Sequence, residues 1–559
     1  MRAQLHRLVA GVLAASALLQ PVLAAPEIVV LGTGTGGDPV AACGDLAASP
    51  FESGREGRGL TDAQIFISGA ISACEAALVA SPQSVEARTW LARAYFLSGR
   101  TAEARTLLEE ASSAGSPFAT YLLSGLLGRS LGNTVAEDPD RALSLLISSA
   151  EAGFPPAQVD LAQRYETGDG VDSSYEEARL LYESASEANL GLATYKLGLF
   201  HHRGLGVEID YARAAELYER AAAQGEPQGH TGLGQMAEFG EGTAQDYGRA
   251  AEHYQLAADG GEKVAQTALA YLYEQGLGVT QDYDKSFALL TDAAAQNWGF
   301  AQAALSIHYL FGQGTTIDLN KGFELAWSAQ RSGVIYAEGI LGYLYQQGLG
   351  TVRDLPAARL HFQNGAEGGD QYSADQLPIV DAGIACLDAA GAPYEPGVVP
   401  GVPFEAIDID NAMAACQNAI ALDPSIGNRV WLARVQLRAG DANAAIPVLE
   451  EGVTAGNILA HILLGERLLI GEGVDADPVR AIAMLEAIAK DYGIGQYALG
   501  AAYANGSGVP ADRDQAMFWL RQAELFGVSE ATEKLLELGT SPKPDMIDLS
   551  GFGQEGPGY

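Results

Sequence analysis

Residues 263–298 read KVAQTALAYLYEQGLGVTQDYDKSFALLTDAAAQNW, and this stretch decides the fold. Its first half is rich in alanine, leucine and tyrosine, and Leu269 falls four residues after an alanine, the spacing of one helix face. Gly276 and Gly278 then supply a turn where positive φ angles are wanted. Asp282 follows where a second helix needs a side chain to accept from its first amides. The stretch therefore predicts two short helices joined by a tight turn.

The same pattern recurs along the chain with a period of 36 residues, so the fold is built from repeats. Leucine, glycine, aspartate and small-residue positions keep this spacing, and each unit closes on glycine or asparagine, as a left-handed helix end requires. The residues that define the repeat most clearly in three of its copies are Leu197, Gly204, Gly206, Asp210, Gly225, Leu269, Gly276, Gly278, Asp282, Leu341, Gly348, Gly350 and Asp354.

A helical hairpin of this size cannot bury its apolar face alone, whereas stacked hairpins bury a continuous core. The sequence therefore predicts an all-α fold, a right-handed α-solenoid of stacked helical hairpins. Composition agrees with a large packed core, because 48% of the residues are hydrophobic and only 18% are charged, which excludes wholesale disorder.

The chain is strongly acidic: its 559 residues include 33 lysines and arginines against 70 aspartates and glutamates, for a formal net charge of −37. No basic block interrupts this pattern, so a surface that neutralises phosphates is not expected. We therefore expect no nucleic-acid partner. The acidic surface favours basic partners whose binding weakens with salt.

The first 24 residues have the pattern of a secretory signal peptide, with two arginines, an apolar stretch and small residues before the cut. Cleavage is expected after Ala24 or Ala25. The apolar stretch is too short to span a membrane, and no later stretch of that kind is long enough. We expect a mature chain without a membrane span in the periplasm, with the extracellular space as the alternative.

The four cysteines fall into two matching pairs within two copies of a duplicated segment, and the tetrapeptide Trp-Leu-Ala-Arg follows each pair. An even cysteine count in an exported chain favours disulfides. Of the three pairings, the duplication selects Cys43–Cys74 and Cys386–Cys416, since each module should close on itself. In each module we expect a loop with the first cysteine, then a short helix with the second.

The repeat pattern A-x-x-x-L-G-x-x-Y-x-x-G-x-G-V-x-x-D-x-x-x-A resembles the Sel1-like repeat, a relative of the tetratricopeptide repeat. Residues 265–282 are a good instance, whereas Thr351 replaces the usual valine in another copy. Residues 84–116 and 426–457 lack the Gly-x-Gly turn and resemble plain tetratricopeptide hairpins. Nine units carry the pattern and begin near residues 119, 155, 191, 227, 263, 299, 335, 458 and 494.

The resemblance implies a binding function. Exported Sel1-like proteins include periplasmic regulators of sensor kinases and scaffolds of exopolysaccharide export. We therefore expect a non-catalytic scaffold or regulator in the periplasm of a Gram-negative bacterium, which binds a partner protein or peptide on the concave face of its solenoid. The partner is expected to belong to the cell envelope, and contact with glycan or peptidoglycan is a further option.

Two alternative functions stay open: a hydrolase that acts on cell-wall material, and a self-associating structural protein. The first arises because some cysteine-rich Sel1-like proteins are described as β-lactamases, but those have a cysteine pair in each repeat, and the Sel1-like units here have none. The chain also lacks H-E-x-x-H and S-x-x-K. We therefore name no catalytic, cofactor-binding or metal-binding residue.

The adjacent His201 and His202 are the most conspicuous histidines. His201 falls on the column of tyrosines that includes Tyr165 and Tyr273, which is a packing column. Adjacent residues on a helix point about 100° apart, so the two imidazoles are badly placed to share a metal. We expect His201 to pack in the core and His202 to lie at the surface.

The sequence divides into seven segments, of which residues 371–425 interrupt the array as a cap or hinge between two solenoids. The segments are the signal peptide at 1–24, a flexible leader at 25–42, a disulfide module with a tetratricopeptide-like hairpin at 43–118, seven Sel1-like units at 119–370, a second disulfide module or linker at 371–425, a tetratricopeptide-like hairpin with two Sel1-like units at 426–540, and a disordered tail at 541–559.

Overall fold

The structure, a computed structural model, describes residues 38–52, 59–128, 138–393 and 401–539. In these residues the regular elements are helices alone, as predicted, and no strand occurs. The predicted signal peptide, its cleavage site at Ala24 or Ala25, most of the predicted leader and the tail at 541–559 lie outside the described residues.

The helices of the described ranges are short, and most form hairpins with the next helix in the chain. In chain order they are α1 (Pro39–Ala47), α2 (Ile67–Ala80), α3 (Val85–Leu97), α4 (Thr101–Ser113), α5 (Pro117–Leu127), α6 (Pro139–Glu151), α7 (Pro155–Thr167), α8 (Tyr175–Glu187), α9 (Gly191–Arg203), α10 (Tyr211–Ala223), α11 (Pro227–Phe239), α12 (Tyr247–Asp259), α13 (Lys263–Gln275) and α14 (Tyr283–Ala295). They continue as α15 (Gly299–Phe311), α16 (Leu319–Arg331), α17 (Tyr336–Gln347), α18 (Leu355–Glu367), α19 (Gln371–Ala390), α20 (Ile409–Leu422), α21 (Ile426–Arg438), α22 (Ala442–Thr454), α23 (Ile458–Ile470), α24 (Pro478–Ala489), α25 (Gly493–Asn505), α26 (Arg513–Leu525) and α27 (Ser529–Glu537).

The chain forms two compact units. The N-terminal unit contains the described residues up to His308 together with 313–316, and the C-terminal unit contains 309–312 and the described residues from Ile317 onward. The division therefore falls inside the Sel1-like array. Helix α19 packs on both α18 and α20, so the second disulfide module belongs to the C-terminal unit. That residues 371–425 act as a cap or hinge stays a prediction.

Within each unit, helices pack mainly on the helices directly before and after them. Helix α10, for example, contacts α9 in its own hairpin and α11 in the next one. This succession of hairpins is the arrangement of an α-solenoid. The predicted fold class is confirmed.

The Gly-x-Gly turn of a Sel1-like hairpin requires glycine for two separate reasons. Gly276 ends α13 with a φ of 67°, in the left-handed region. Gly278 has a φ of 69°, and a Cβ added to it would lie 2.3 Å from the carbonyl carbon of Tyr247 in the preceding hairpin. The second glycine thus permits close contact between neighbouring hairpins. The other repeat-defining glycines with positive φ are Gly204, Gly206, Gly225, Gly348 and Gly350.

In most of the Sel1-like hairpins, the second helix begins after an aspartate whose carboxylate caps it. The Oδ1 atom of Asp282 accepts a hydrogen bond from the amide of Lys285 at 3.0 Å. Asp210 and Asp354 accept in the same way from the third residue after each of them, both at 2.9 Å. These bonds satisfy amides that the helix itself cannot pair.

The core consists of leucine, alanine and aromatic side chains from facing helices. Leu197, Leu269 and Leu341 are at most 4% exposed. The small residue after each leucine leaves space for a ring: a Cβ on Gly198 would lie 2.7 Å from the ring of Tyr218. The space at Gly198 is thus filled by an aromatic side chain.

Both disulfide modules contain two helices, where we expected a loop and one helix. Cys43 lies in α1 and Cys386 lies in α19. Helix α1 starts inside the predicted flexible leader, because Asp38 caps it by accepting from the amide of Val40 at 3.0 Å. Residues 39–42 are therefore helical.

Candidate binding site

The C-terminal unit contains a pocket with a volume of about 320 Å³. It lies against the first helices of two successive hairpins, α23 and α25, with Phe404 and Val528 also lining it. A pocket of this size falls in the range that small ligands or single peptide side chains occupy. The first helices of the hairpins thus present a concave site in this unit.

One wall of the pocket is an aliphatic strip on α23. Ile458 and Ile462 are four residues apart, as are Leu459 and Leu463, so all four side chains share one side of the helix. Tyr497 lines the pocket from α25. Such a surface favours an apolar group, because contact removes apolar area of both partners from water.

Charged groups lie beside this strip. The side chain of Glu466 is half exposed, and desolvation by the surrounding protein raises its pKa. Arg467 and Arg434 act in the opposite direction and favour the ionised form. Arg467 also pairs with Glu472, which offsets part of its charge. Glu466 lies on the same helix as the aliphatic strip, and Glu530 is a second carboxylate that lines the pocket, so a basic group of a ligand can reach an acidic side chain here.

Arg434 shapes the pocket as a structural clamp of the second disulfide module. Its guanidinium donates to the carbonyl oxygen of Ala390 at 2.9 Å, at the end of α19, and to that of Val402 at 2.6 Å. Arg434 is only 3% exposed. The clamp holds the segment before α20 against the end of α19, and this segment provides the pocket residues Pro403 and Phe404.

The first module contains the same clamp. Arg93 donates to the carbonyl oxygens of Ala47 at 3.1 Å and Leu60 at 2.8 Å, and its Nε donates to Asp62 at 2.7 Å. Arg93 is the last residue of the first Trp-Leu-Ala-Arg copy, and Arg434 of the second. The arginine of the duplicated tetrapeptide thus forms a clamp in both modules, a function that the sequence alone did not reveal.

The disulfides close these modules. Cys43 bonds to Cys74 and Cys386 bonds to Cys416, which is the pairing that the duplication selects, and no free cysteine remains in the described residues. All four cysteines are fully buried. They join neighbouring helices, α1 to α2 and α19 to α20.

A row of buried tyrosine hydroxyls runs through the N-terminal unit with the period of the repeat. Each hydroxyl lies on the second helix of a hairpin and pairs with a polar residue on the first. The pairs are Tyr182 with Glu166, Tyr218 with His202 Nδ1 at 3.0 Å, and Tyr254 with Glu238 at 2.6 Å. Burial raises the pKa of all three tyrosines, so the hydroxyls stay protonated and act as donors or acceptors inside the core.

His202 therefore has a different place from the one predicted. It is 7% exposed, and its Nε2 contacts Glu241 at 2.7 Å, while His201 is only half-buried. The prediction that His201 packs in the core and His202 lies at the surface is wrong. His201 stands in the tyrosine column of the repeat, and His202 stands one position later, where the side chain faces the buried tyrosine hydroxyls. The polar residues at positions 166, 202 and 238 were the missed signal.

Two carboxylates at the starts of successive first helices also interact. Glu226 precedes α11 and Glu262 precedes α13. Burial and the charge of Glu262 raise the pKa of Glu226 to about 7. Glu262 accepts from the amide of Ala265 at 2.7 Å and from the hydroxyl of Thr231 at 3.0 Å, which stabilises its ionised form.

No cluster of three or more histidine, cysteine, aspartate or glutamate side chains in the described ranges has the geometry to hold a metal ion. None of the helices in these ranges has the length and apolar character needed to cross a membrane. The repeat-defining leucines, glycines and aspartates build the hairpins, and none of them lines the pocket.

Comparison with known proteins identifies the repeats. The sequence profile of the Sel1 repeat matches residues 117–154, 155–190, 191–226, 227–262, 263–298, 299–326, 335–370, 458–491 and 493–524. A tetratricopeptide repeat profile matches residues 67–119. Among curated proteins, no match is found.

The chain is similar to many solved structures, among them two repeat proteins. One is c5321, a protective antigen present in uropathogenic Escherichia coli strains that displays an SLR fold. It is 25% identical, with a TM-score of 0.42, and the match covers 79% of this chain and 99% of that one. The other is a Sel1 repeat protein from Oxalobacter formigenes. It is 28% identical, with a TM-score of 0.38, and the match covers 41% of this chain and 94% of that one.

Proposed function

Because the chain belongs to the Sel1 repeat family, we propose that it is a non-catalytic scaffold or regulator that binds a partner protein or peptide. Repeats of this kind generally mediate protein–protein interaction. The pocket against α23 and α25 carries the proposal, since it combines an aliphatic strip with the carboxylate of Glu466 on the first helices of adjacent hairpins. These are the features that bind an extended segment by its side chains.

The expected ligand is a segment with an aliphatic side chain next to a lysine or arginine. The aliphatic side chain contacts Ile458 and Ile462, and the basic group pairs with Glu466. The acidic composition of the whole chain supports this choice, because a net charge of −37 attracts basic segments over distances of about 10 Å at moderate salt.

We place this binding in the periplasm, as part of an envelope assembly. Two disulfides support an oxidising compartment, because such bonds persist outside the cytoplasm. The signal-peptide pattern of residues 1–24 supports export.

Site-specific photocrosslinking in intact cells tests the proposal. A photoreactive amino acid replaces Ile494, which lines the pocket, and in a matched control it replaces Val479, which is 81% exposed on α24. The expected result is one dominant crosslinked protein from position 494 and none from position 479. Equal yields from both positions, or no partner from either across growth conditions, would count against the proposal.

A hydrolase assay tests the non-catalytic part of the proposal. The purified chain is incubated with peptidoglycan and with a chromogenic β-lactam, and we expect no turnover. Turnover that a point variant abolishes while the circular dichroism spectrum is unchanged would overturn the scaffold assignment.

A further inference from the structure

A pair of histidines in the N-terminal unit is not explained by repeat packing. His230 lies on α11 and His253 on α12, the two helices of one hairpin. Their Nδ1 atoms are 3.3 Å apart, and the ring centroids are 5.5 Å apart with an interplanar angle of 29°. Both side chains are only partly buried, so ions in solution can reach them.

The repeat itself shows that this pair is a departure from ordinary packing. Most hairpins carry leucine where His253 stands, and several carry glutamine where His230 stands. The residues at these two positions in other copies are Leu181, Leu217, Leu289 and Leu325, and Gln158, Gln266 and Gln302. Leucine at the first position satisfies the fold, so the histidines are not needed to build the hairpin.

One other hairpin also replaces this leucine with histidine, and there the structural reason is visible. His361 Nδ1 contacts Glu338 at 2.6 Å, and the ring stacks on Tyr345. His361 and Glu338 are both more than 90% buried. His253 instead faces a second imidazole, which has the same acid–base character and offers no charge to pair with.

We propose that His230 and His253 bind one divalent transition-metal ion through their Nδ1 atoms, with water completing the coordination. Two nitrogens that bind a tetrahedral ion at 2.0–2.1 Å lie about 3.3–3.4 Å apart, which matches the observed separation. Imidazole is a ligand for zinc and copper and a poor one for magnesium, so the class of ion is Zn²⁺ or Cu²⁺.

Nearby carboxylates favour a cation at this position. Glu219 and Glu252 lie close enough to His253 to interact with it electrostatically, and they supply negative charge near the ion. Without an ion, one Nδ1–H donates to the other Nδ1. The ion takes the place of that shared proton, which moves to the Nε2 atom of the same ring.

Zinc titration of the full chain tests the site. The protein is freed of metal with a chelator, and Zn²⁺ binding is measured by isothermal titration calorimetry at pH 7.5, with Mg²⁺ as the negative control. His253→Leu and His230→Gln are the test variants, because each introduces the residue that neighbouring repeats carry. His201→Gln, at a half-buried histidine outside the pair, is the matched control.

We expect one Zn²⁺ site in the unaltered chain and in His201→Gln, and a loss of at least about tenfold in affinity in both test variants, since even loss of a residue that only orients a ligand costs that much. Cu²⁺ should bind more tightly than Zn²⁺. In imidazole ¹⁵N spectra, Zn²⁺ should shift the Nδ1 signals of His230 and His253. Equal Zn²⁺ binding in His253→Leu, or no Zn²⁺ binding in the unaltered chain, would show that the pair is a hydrogen bond alone.

Discussion

Tyr254 illustrates what a buried polar side chain requires inside a repeat. Its hydroxyl donates to Glu238 in the core between α11 and α12, and burial raises the pKa of both groups. The hydrogen bond from Tyr254 offsets part of the rise in the pKa of Glu238 that burial causes. Each polar member of the row is therefore tolerated because its partner is present, and removal of one partner leaves the other unsatisfied.

Replacement of Tyr254 by phenylalanine tests this dependence. Tyr254→Phe should lower the free energy of unfolding by about 1–3 kcal/mol, because it leaves the buried carboxyl of Glu238 without its donor. The measurement is urea denaturation followed by circular dichroism. Tyr283→Phe is the control, since the hydroxyl of Tyr283 accepts from Gln281 at the surface, and it should change the stability by less than about 0.5 kcal/mol. Equal losses in the two variants would contradict the argument.

Glu226 gives a prediction about pH. Its pKa is about 7 in the folded chain and near 4.3 in an unfolded one, so the folded state holds this proton more tightly. Stability contributed by the protonated form is therefore lost as the pH rises from about 4.3 to 7. Glu226→Gln should be more stable than the unaltered chain by up to about 3.5 kcal/mol at pH 8, and should match it at pH 4.

Melting temperatures measured from pH 4 to pH 8 check this difference. Glu208→Gln serves as the control, because Glu208 is exposed in the turn between α9 and α10. A gain in stability for Glu226→Gln that is constant across the pH range would mean that the charge of Glu226 is not its cause.

At the scale of the element, the clamp arginines show how a loop can be fixed between two helices. Arg93 holds the end of α1 and the segment before α2 by three hydrogen bonds, and it is 4% exposed. A buried guanidinium of this kind satisfies carbonyl groups that no helix pairs. The segment is thus held by hydrogen bonds in addition to the disulfide.

Loss of the clamp should destabilise the N-terminal unit strongly. Arg93→Met keeps the apolar stem but removes the donors, so we expect a loss of about 3–5 kcal/mol, since carbonyls and the carboxylate of Asp62 lose their partner. Arg213→Met removes an exposed pair with Glu216 and should cost less than about 1 kcal/mol. Urea denaturation measures both. A cost for Arg93→Met no larger than that of the control would refute the clamp.

The hairpins themselves could be predicted from the sequence because every column has a local cause. Gly276 and Asp282 act within one turn of the chain, and such short-range requirements appear directly in the residue pattern. The pocket could not be predicted, because Phe404, Tyr497 and Val528 come together only through packing of separate hairpins. The same holds for the clamps, where Arg434 contacts carbonyl groups more than 30 residues away.

At the scale of the whole molecule, each compact unit contains one disulfide module, so the two disulfides stabilise different parts of the chain. Each bond closes a loop of about 30 residues, which stabilises a fold by about 3–4 kcal/mol through the entropy of the unfolded chain. The same duplication therefore supplies one such constraint to each stack of hairpins.

Removal of one disulfide should affect one unit. In a chain with Cys43→Ala and Cys74→Ala, protease cleavage under mild denaturant should increase within the N-terminal unit, while peptides from 317–539 keep their rate of appearance. The variant with Cys386→Ala and Cys416→Ala should show the reverse. Mass spectrometry of the digests makes the measurement. Equal acceleration of cleavage in both units by either variant would contradict separate stabilisation.

The constant period of 36 residues has a consequence for how such chains change over generations. Residue 226 ends one unit and residue 263 begins the unit after next, and both unit ends have the same turn geometry, since Gly225 and Gly261 each have a positive φ. Unequal recombination between the matching gene segments removes or adds one whole hairpin in frame. In a descendant that is shorter or longer by 36 residues, the two hairpins at the junction still pack as neighbouring hairpins do here. The length of the solenoid can therefore change without a new packing interface.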